Sequence, residues 1–271
     1  MSVVDMTVVI TGASSGVGAE AARQLHVAGA RVIAVGRDPR KTKALTDELG
    51  IEGATVDFTA LADVRQLADH LRRRLTRIDV FAANAGGIPR DTLRTPAGIE
   101  ATFQVNALAP WLLTTLLAPL LGGGRVIATS SRSHTAATLT IDELGAVAAG
   151  LSRPLAHHVY ARAKLAGAIL LREFGHRHPE ITVADFHPGV IASDFGRYMG
   201  TTGAVLKTVA RPFLDSPADG ARRLAFLASA DAADINGRYF VRNRPAAGSP
   251  HLDDRELATR LWQLAERLTR P

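Results

Sequence analysis

The segment Thr11–Gly18, TGASSGVG, constrains the fold of this chain more than any other stretch of its sequence. It follows a short apolar run, Thr7–Ile10, and leads into small residues, an order that predicts a strand, a tight turn and a helix. Such a turn brings backbone N–H groups and the positive end of the helix close to a pyrophosphate, because glycine has no Cβ to block the approach. Gly12, Gly16 and Gly18 have the spacing G-x-x-x-G-x-G, a variant of the general dinucleotide-binding pattern, although a plain tight turn also explains three glycines taken alone.

Apolar, β-branched runs alternate with helical patterns along the chain. This alternation predicts an α/β, doubly wound Rossmann fold, in which a seven-stranded, mainly parallel sheet carries helices on both faces. A length of 271 residues and a hydrophobic content of 46% fit a single domain over residues 1–271. Ligands of such folds bind beyond the carboxyl ends of the strands. The predicted strands are Thr7–Ile10, Arg31–Val35, Ala54–Val56, Ile78–Ala82, Arg125–Thr129, Thr182–Phe186 and Arg238–Val241.

Two irregular segments interrupt the alternation. Ser193–Pro217 contains three glycines and two prolines and lies between the sixth and seventh predicted strands. A long irregular segment inside a compact domain is usually functional, so we predict a substrate lid at about residues 193–217. Ser133–Pro154 follows the fifth strand, and both segments are candidate walls of a substrate pocket.

The composition excludes several kinds of site. The chain has no cysteine, so it has no disulfide and no thiolate metal site, and a reducing, cytoplasmic location is expected. His157, His158 and His187 lack carboxylate or cysteine partners at ligand spacing, so we interpret them as structural and predict no metal. No apolar run reaches about 18 residues, and a strand begins almost at once, so neither a transmembrane helix nor a signal peptide is expected.

The net charge of +6 raises the question of a nucleic-acid or membrane partner. The basic residues are mostly arginines spread through predicted helices, and no aromatic residues alternate with them as base stacking requires. The run Arg72–Arg74 lies in an amphipathic segment and is best explained as a solvated face. We therefore predict neither partner, and part of the positive charge is available to an anionic cofactor.

Tyr160 and Lys164 lie four residues apart and share one face of a predicted helix. A free phenol has a pKa of about 10, which is too high for acid–base work at neutral pH. A lysine ammonium about 4 Å away contributes roughly 4 kcal/mol at an effective dielectric of about 20, equivalent to about three pKa units. Burial opposes this effect, but the net pKa can still approach neutrality. Taken alone, the pattern is also typical of an ordinary surface pair.

Polar residues follow several predicted strands. Asn84-Ala85-Gly86 follows the fourth strand, Ser130 and Ser131 end the fifth, and His187-Pro188-Gly189 follows the sixth. Asn106 lies in the helix after the fourth strand. Each could belong to a turn, but their common position at strand ends points to one site.

The chain resembles the short-chain dehydrogenase/reductase family over nearly its whole length. The matching motifs are TGASSGVG, the Asp57 of TVDF, Asn84-Ala85-Gly86, Asn106, Ser131, YARAK at 160–164 and PGVIAS at 188–193. The separation of 29 positions from Ser131 to Tyr160, and the region from Ser216 onward, are similar to the retinol-dehydrogenase-like branch.

The resemblance implies four catalytic residues. Tyr160 would be the general acid, Lys164 would depress its pKa and hold the ribose hydroxyls, and Ser131 would polarise the carbonyl, with Ser130 as the adjacent alternative. Asn106 would hold a water of the proton relay.

The resemblance also allows a homodimer or homotetramer that pairs through the helices of Asn106 and Tyr160.

The resemblance also implies a cofactor site. Asp57 would cap the adenine amino group, Asn84 and Gly86 would line the adenine ribose, and Ser193 would bond the carboxamide of a nicotinamide that packs on Pro188–Ile191. The full predicted set is Gly12, Ser14, Ser15, Gly16, Val17, Gly18, Arg37, Asp57, Phe58, Asn84, Ala85, Gly86, Tyr160, Lys164, Pro188, Gly189, Ile191 and Ser193.

The end of the second strand favours NADP(H) over NAD(H). NAD enzymes usually have an acidic residue there, but this strand ends Val35-Gly36-Arg37. A guanidinium at Arg37 can hold a 2′-phosphate with paired hydrogen bonds. Asp38 could neutralise Arg37, but it fits better as the cap of a helix that begins at Pro39. NAD(H) stays open as the second choice.

The sequence therefore predicts an NADP(H)-dependent oxidoreductase that transfers a hydride between the nicotinamide and a small-molecule carbonyl or alcohol, with an apolar aldehyde or ketone as the expected substrate. The alternative is a non-catalytic NADP(H)-binding regulator on the same fold. Such regulators usually lose the tyrosine or the lysine, whereas this chain keeps Ser131, Tyr160 and Lys164.

Overall fold

The computed structural model describes residues 2–89, 93–151, 156–191 and 215–270. Eight strands form one sheet in the order β3-β2-β1-β4-β5-β6-β7-β8. The strands are β1 (Thr7–Thr11), β2 (Arg31–Gly36), β3 (Glu52–Thr55), β4 (Val80–Ala83), β5 (Arg125–Thr129), β6 (Thr182–His187), β7 (Arg238–Val241) and β8 (Arg244–Ala246).

The helices connect successive strands. They are α1 (Gly16–Val27), α2 (Pro39–Leu49), α3 (Leu61–Arg74), α4 (Ala101–Phe103), α5 (Ala109–Leu117), α6 (Leu144–Ala148), α7 (Ala156–Arg177), α8 (Pro217–Ser229), α9 (Ala232–Ile235) and α10 (Arg255–Leu268). A π-helical turn, Gln104–Leu108, joins α4 to α5, and short 3₁₀ turns include Arg132–Ala136 and Pro250–Asp253.

The doubly wound α/β prediction is confirmed. Neighbouring strands from β3 to β7 are parallel, and β1 pairs with both β2 and β4, so the chain changes direction between β1 and β4. In folds of this kind a ligand binds where the strand order reverses, beyond the carboxyl ends of the two strands. Here those ends are Thr11 and Ala83.

The predicted strand count of seven is wrong, because the sheet contains an eighth strand. Arg244–Ala246 pairs antiparallel with β7 at the edge of the sheet. The sequence did not indicate it, since all three residues are exposed and Pro245 lies at its centre. The connecting residues Arg242 and Asn243 have φ angles of 50° and 61°, as a two-residue hairpin turn of type I′ requires.

The sheet separates two hydrophobic clusters. One contains Phe81 and Val126 from the strands and packs under α3, α5, α7 and α10. The other contains Val8 and Ile10 and packs under α1, α2 and α8. Successive strand residues alternate between the two clusters, so both faces of the sheet are covered by helices, as predicted.

The helical stretch Ala101–Leu120 is long and apolar enough, by length and composition alone, to cross a membrane. Its mean hydropathy is 1.3, and 61% of it is buried inside the protein. A core helix of a soluble protein passes the same test. The expectation of no membrane partner therefore stays a prediction.

The predicted lid falls mostly outside the described residues, because residues 192–214 are not described. Its last residues are described: Asp215 forms a bridge with Ile191, and Pro217 already belongs to α8. The second irregular segment, Ser133–Pro154, contains a 3₁₀ turn and α6.

Helix α7 approaches the π-helical turn closely at Gly167. A Cβ atom at this position would lie 2.8 Å from the carbonyl oxygen of Asn106 and 3.6 Å from Cα of Ala107. The absence of a side chain therefore lets α7 pack against the π-helical turn that contains Asn106.

We expect Gly167→Ala to lower the free energy of unfolding by about 1–3 kcal/mol, because the added methyl overlaps backbone that cannot move freely. Gly145→Ala is the matched control, since Gly145 is also helical but a Cβ there meets no atom within 4 Å. The control is expected to stabilise the protein by about 0.5–1 kcal/mol through helix propensity. Chemical denaturation of both variants checks this, and equal stabilisation by the two would contradict the proposed close contact.

Candidate active site

The glycine-rich loop runs from the end of β1 into the first turn of α1. Gly12 and Gly16 have φ angles of 70° and 60°, which residues with a side chain rarely adopt. A Cβ at Gly18 would overlap the carbonyl of Gly12 and lie 2.6 Å from Nδ2 of Asn84. Ser15 precedes α1 without a side-chain capping bond, so the first-turn N–H groups and the helix dipole are available to an anion. This cradle fits a pyrophosphate.

The end of β2 has no room for an acidic side chain at position 36. A Cβ at Gly36 would overlap Oγ1 of Thr42 and lie 2.8 Å from Cβ of Ser14. The next residue, Arg37, is exposed. Asp38 caps α2 by accepting hydrogen bonds from the backbone of Arg40 and Lys41 at 3.0 and 3.1 Å, which confirms its predicted capping role.

Asp57 and Phe58 follow β3. Oδ1 of Asp57 accepts hydrogen bonds from the backbone and the hydroxyl of Thr59, at 2.9 and 2.8 Å, which fix its carboxylate at the edge of the loop. The ring of Phe58 is buried in the core, and its carbonyl accepts a bond from Gln104. Only the backbone of Phe58 can therefore reach a ligand.

Asn84 joins the carboxyl ends of three strands. Its Nδ2 donates to the carbonyl of Thr11 at 2.9 Å, and its Oδ1 accepts from the hydroxyl of Thr129 at 2.9 Å. The backbone N–H groups of Asn84 and Ala85 both donate to Oγ1 of Thr11. The side chain of Asn84, predicted to line the adenine ribose, is thus already engaged with protein partners.

Asn106 lies in the π-helical turn. Pro110, four residues later, has no N–H, so the carbonyl of Asn106 lacks its α-helical donor, which accounts for the change of register. The side chain bonds both backbone groups of Gly87 and the carbonyl of Thr102. Of its polar groups, the backbone carbonyl is therefore the one suited to hold the predicted water.

Gly86 lies where Asn106 and Lys164 converge. A Cβ there would be 2.7 Å from Oδ1 of Asn106 and 2.9 Å from Nζ of Lys164. The predicted residues of the fourth strand end, the π-helical turn and α7 are therefore brought to one place.

The side chains of Ser131, Tyr160 and Lys164 come together at the carboxyl end of β5. Ser131 is the side chain that interacts with the hydroxyl of Tyr160, and this interaction lowers the pKa of Tyr160. Nζ of Lys164 donates to the carbonyl of Thr129 at 2.9 Å and lies 5.7 Å from the centre of the Tyr160 ring. These three side chains have the arrangement that acid catalysis at a carbonyl requires.

Ser131, rather than Ser130, is the serine that interacts with Tyr160 in the structure. Ser130 is buried and points away from Tyr160, with its hydroxyl 3.2 Å from Nδ1 of His134. Ser131 caps the following 3₁₀ turn, where its hydroxyl accepts from the backbone and the hydroxyl of Ser133.

Burial outweighs the other electrostatic effects on Tyr160. It raises the pKa of Tyr160 above its usual value, and the hydrogen bond from Ser131 opposes this only in part. The expectation that the net pKa of Tyr160 approaches neutrality is not met in this structure, because burial outweighs the opposing effects. Burial also lowers the pKa of Lys164 to about 8, against the effect of Asp185.

An ion pair holds the turn after β6. Asp215 pairs with Arg223 at 2.6 Å and accepts a bond from the backbone of Val190 at 3.2 Å, while Arg223 donates to the carbonyl of Pro188. A side chain at Gly189 would overlap this pair. Asp215 and Arg223 could not be predicted from the sequence, since neither forms a local pattern with the turn.

Gly220 on α8 links this turn to the glycine-rich loop. A Cβ there would lie 2.7 Å from Cγ2 of Val17 and 3.4 Å from Cδ1 of Ile191. Two predicted cofactor residues from distant parts of the sequence therefore meet across one glycine. Ser193 lies outside the described residues.

The histidines form no metal site that the structure shows. His157 and His158 stack on each other at 4.0 Å, and burial lowers the pKa of His187 to about 4. Within the described ranges, no group of three or more His, Asp or Glu side chains could hold a metal ion.

Comparison with known proteins identifies the family. A model of the family described as short chain dehydrogenase matches residues 6–140. A protein of Streptomyces sp. (strain C5) assigned as the daunorubicin C-13 ketoreductase DnrU is 39% identical over 266 residues, which cover 95% of this chain and 90% of that protein. Human retinol dehydrogenase 13 is 30% identical over 280 residues, covering 97% of this chain and 84% of that protein.

A crystal structure of an uncharacterised protein from Mycobacterium paratuberculosis is 30% identical, with a TM-score of 0.79 over 99% of this chain and 94% of that one. Structures solved with NADP and with NADH, at 22% and 24% identity, show the same fold with TM-scores of 0.69 and 0.68. The chain therefore belongs to the short-chain dehydrogenase family, in its retinol-dehydrogenase-like branch, and is an oxidoreductase that acts on CH–OH donors.

Proposed function

We propose that this protein reduces an apolar aldehyde or ketone with NADPH, and that the reverse reaction oxidises the corresponding alcohol. The observation that carries the proposal is the contact between the hydroxyls of Tyr160 and Ser131 beside the ammonium of Lys164. NADPH, when bound, supplies the hydride. The glycine-rich loop would hold its pyrophosphate and Arg37 its 2′-phosphate.

Ser131 and Tyr160 act on the carbonyl oxygen of the substrate. Ser131 donates a hydrogen bond that polarises it, and Tyr160 transfers its phenolic proton as negative charge develops. Burial keeps Tyr160 protonated through the neutral range, which supports the reductive direction. Lys164 stabilises the resulting phenolate with its positive charge.

Exposed apolar side chains support an apolar substrate. Leu93, Leu151 and Val190 are 87%, 71% and 61% exposed. They follow β4, β5 and β6 respectively, so all three lie in connections that leave the carboxyl ends of the strands. The names of the two relatives, one a ketoreductase and one a retinol dehydrogenase, agree with this substrate class.

Two features support NADP(H). Position 36 excludes the acidic side chain that NAD enzymes use there, and Asp38 is engaged as a helix cap, so it does not neutralise Arg37. An exposed guanidinium at this place matches the geometry and charge of a phosphate.

We also propose a cytoplasmic location, on the absence of cysteine.

We expect Tyr160→Phe to lower kcat for NADPH-dependent carbonyl reduction by about 10²–10⁴-fold, because the proton donor is lost. NADPH binding, measured by fluorescence titration, should be nearly unchanged. Tyr239→Phe is the control, since it removes the hydroxyl of a second tyrosine, one that is buried and has no hydrogen-bond partner among the described residues. Unchanged turnover in Tyr160→Phe refutes the assigned acid, and tight NADPH binding without turnover on any carbonyl substrate supports the regulator.

We expect Arg37→Ala to raise the Kd for NADPH by about 10–100-fold, because charge-assisted hydrogen bonds to the 2′-phosphate are lost. The Kd for NADH should change by less than about threefold. Arg73→Ala, which removes an exposed arginine on α3 at the opposite face of the sheet, controls for the loss of one positive charge. An equal loss of affinity for both cofactors would exclude the assignment of Arg37.

A further inference from the structure

A cavity lies behind Lys164, between the central strands and helices α5 and α7. Its volume is about 40 Å³, counted as space open to the centres of water molecules. A water molecule needs roughly 10–15 Å³ by the same measure, so the cavity has room for about three. Its polar lining includes Lys164, Asp185, Thr129 at the end of β5 and Ser130 directly after that strand.

Asp185 is an acidic residue in the middle of a buried strand. It lies in β6 between Ala184 and Phe186, and only 3% of its surface is exposed. One carboxylate oxygen, Oδ2, has no hydrogen-bond partner among the described residues, while the hydroxyl of Ser130 bonds the carboxylate. The cavity beside it is lined mainly by apolar side chains, with a few polar ones such as Lys164 and Ser130. A buried, unpaired carboxylate oxygen is costly, so Asp185 calls for a partner inside this cavity.

Lys164 is the other buried charge on the cavity wall. It is 7% exposed, and its ammonium uses one of its donors on the carbonyl of Thr129. Within the part of the chain that the structure describes, it forms no salt bridge. Asp185 is the carboxylate that stabilises its charged form.

We propose that Asp185 is the counter-charge of Lys164, joined to it by water in the cavity, and that it keeps Lys164 protonated while Tyr160 acts. Asp185 touches neither substrate nor cofactor in this proposal and is a positioning residue. The catalytic consequence rests on the proposed function, because it requires that Lys164 stabilise the phenolate of Tyr160.

The charges around the pair agree with this assignment. Burial raises the pKa of Asp185 to about 6 and lowers that of Lys164 to about 8, so both groups are ionised between these values. Arg172 on α7 favours the charged form of Asp185 more strongly than Lys164 does. Burial lowers the pKa of His134 in the 3₁₀ turn and raises the pKa values of Tyr160 on α7 and Tyr239 on β7, so it favours the neutral form of each of these neighbours.

The first test is the pH dependence of kcat/KM for NADPH-dependent carbonyl reduction in Asp185→Asn. Loss of the negative charge should move the alkaline limit of activity to lower pH by about one unit. Asp185→Glu keeps the charge and should stay close to the wild-type profile. Asp79→Asn, at the opposite end of the sheet, controls for the loss of a carboxylate. An unmoved limit in Asp185→Asn, or an equal shift in the control, overturns the proposal.

The second test needs no activity. Infrared spectra of the purified full chain are recorded over a range of pH. The band of the protonated Asp185 carboxyl is the one present in the wild type and absent from Asp185→Asn, and the midpoint of its titration gives the pKa of Asp185. Because coupling is reciprocal, Lys164→Met should move the midpoint of this band to higher pH by about the same amount. An identical midpoint in the wild type and Lys164→Met overturns the pairing even if the enzyme is active. If the midpoint shifts in Lys164→Met but the wild-type protein reduces no carbonyl, the result supports the pairing and refutes the proposed function.

Discussion

The rest of the site depends on the side-chain amide of Asn84, which connects the carboxyl ends of three strands. It bonds the carbonyl of Thr11 and the hydroxyl of Thr129, so the ends of β1, β4 and β5 share one side chain. Each such bond contributes about 1 kcal/mol, but their larger effect is geometric. They fix the glycine-rich loop, at the end of β1, relative to the carbonyl of Thr129 that positions Lys164. The glycine-rich loop and the side chains around Lys164 are therefore positioned by the same residue, Asn84.

Much of this arrangement could be predicted from the sequence, because its signals are local. The order of apolar runs predicts the parallel sheet, and the spacing of Tyr160 and Lys164 places both on one helical face. Asp38 and Pro39 identify the start of α2 in the same way. Where several such local signals fall at successive strand ends, the topology itself brings them together.

The remaining features depend on contacts that sequence spacing does not show. Asp215 bonds a residue 25 positions earlier and Arg223 one 35 positions earlier, at the turn after β6. Strand β8 has no apolar pattern because it is an exposed edge strand. The error about Tyr160 has a similar origin. Its pKa depends on how deeply the phenol is buried and where the ammonium of Lys164 is directed, and neither can be read from a four-residue spacing.

The tight fit around Gly36 makes two positions interdependent. Any side chain at this position meets Oγ1 of Thr42 on α2 and Cβ of Ser14 in the glycine-rich loop. Thr42 is itself fixed, because its hydroxyl donates to the carbonyl of Asp38 at 2.7 Å. A change of cofactor preference through position 36 therefore requires a simultaneous truncation at position 42, with loss of that hydrogen bond. Redesign at Arg37 carries no such steric requirement, which makes it the simpler single-step route to altered cofactor use.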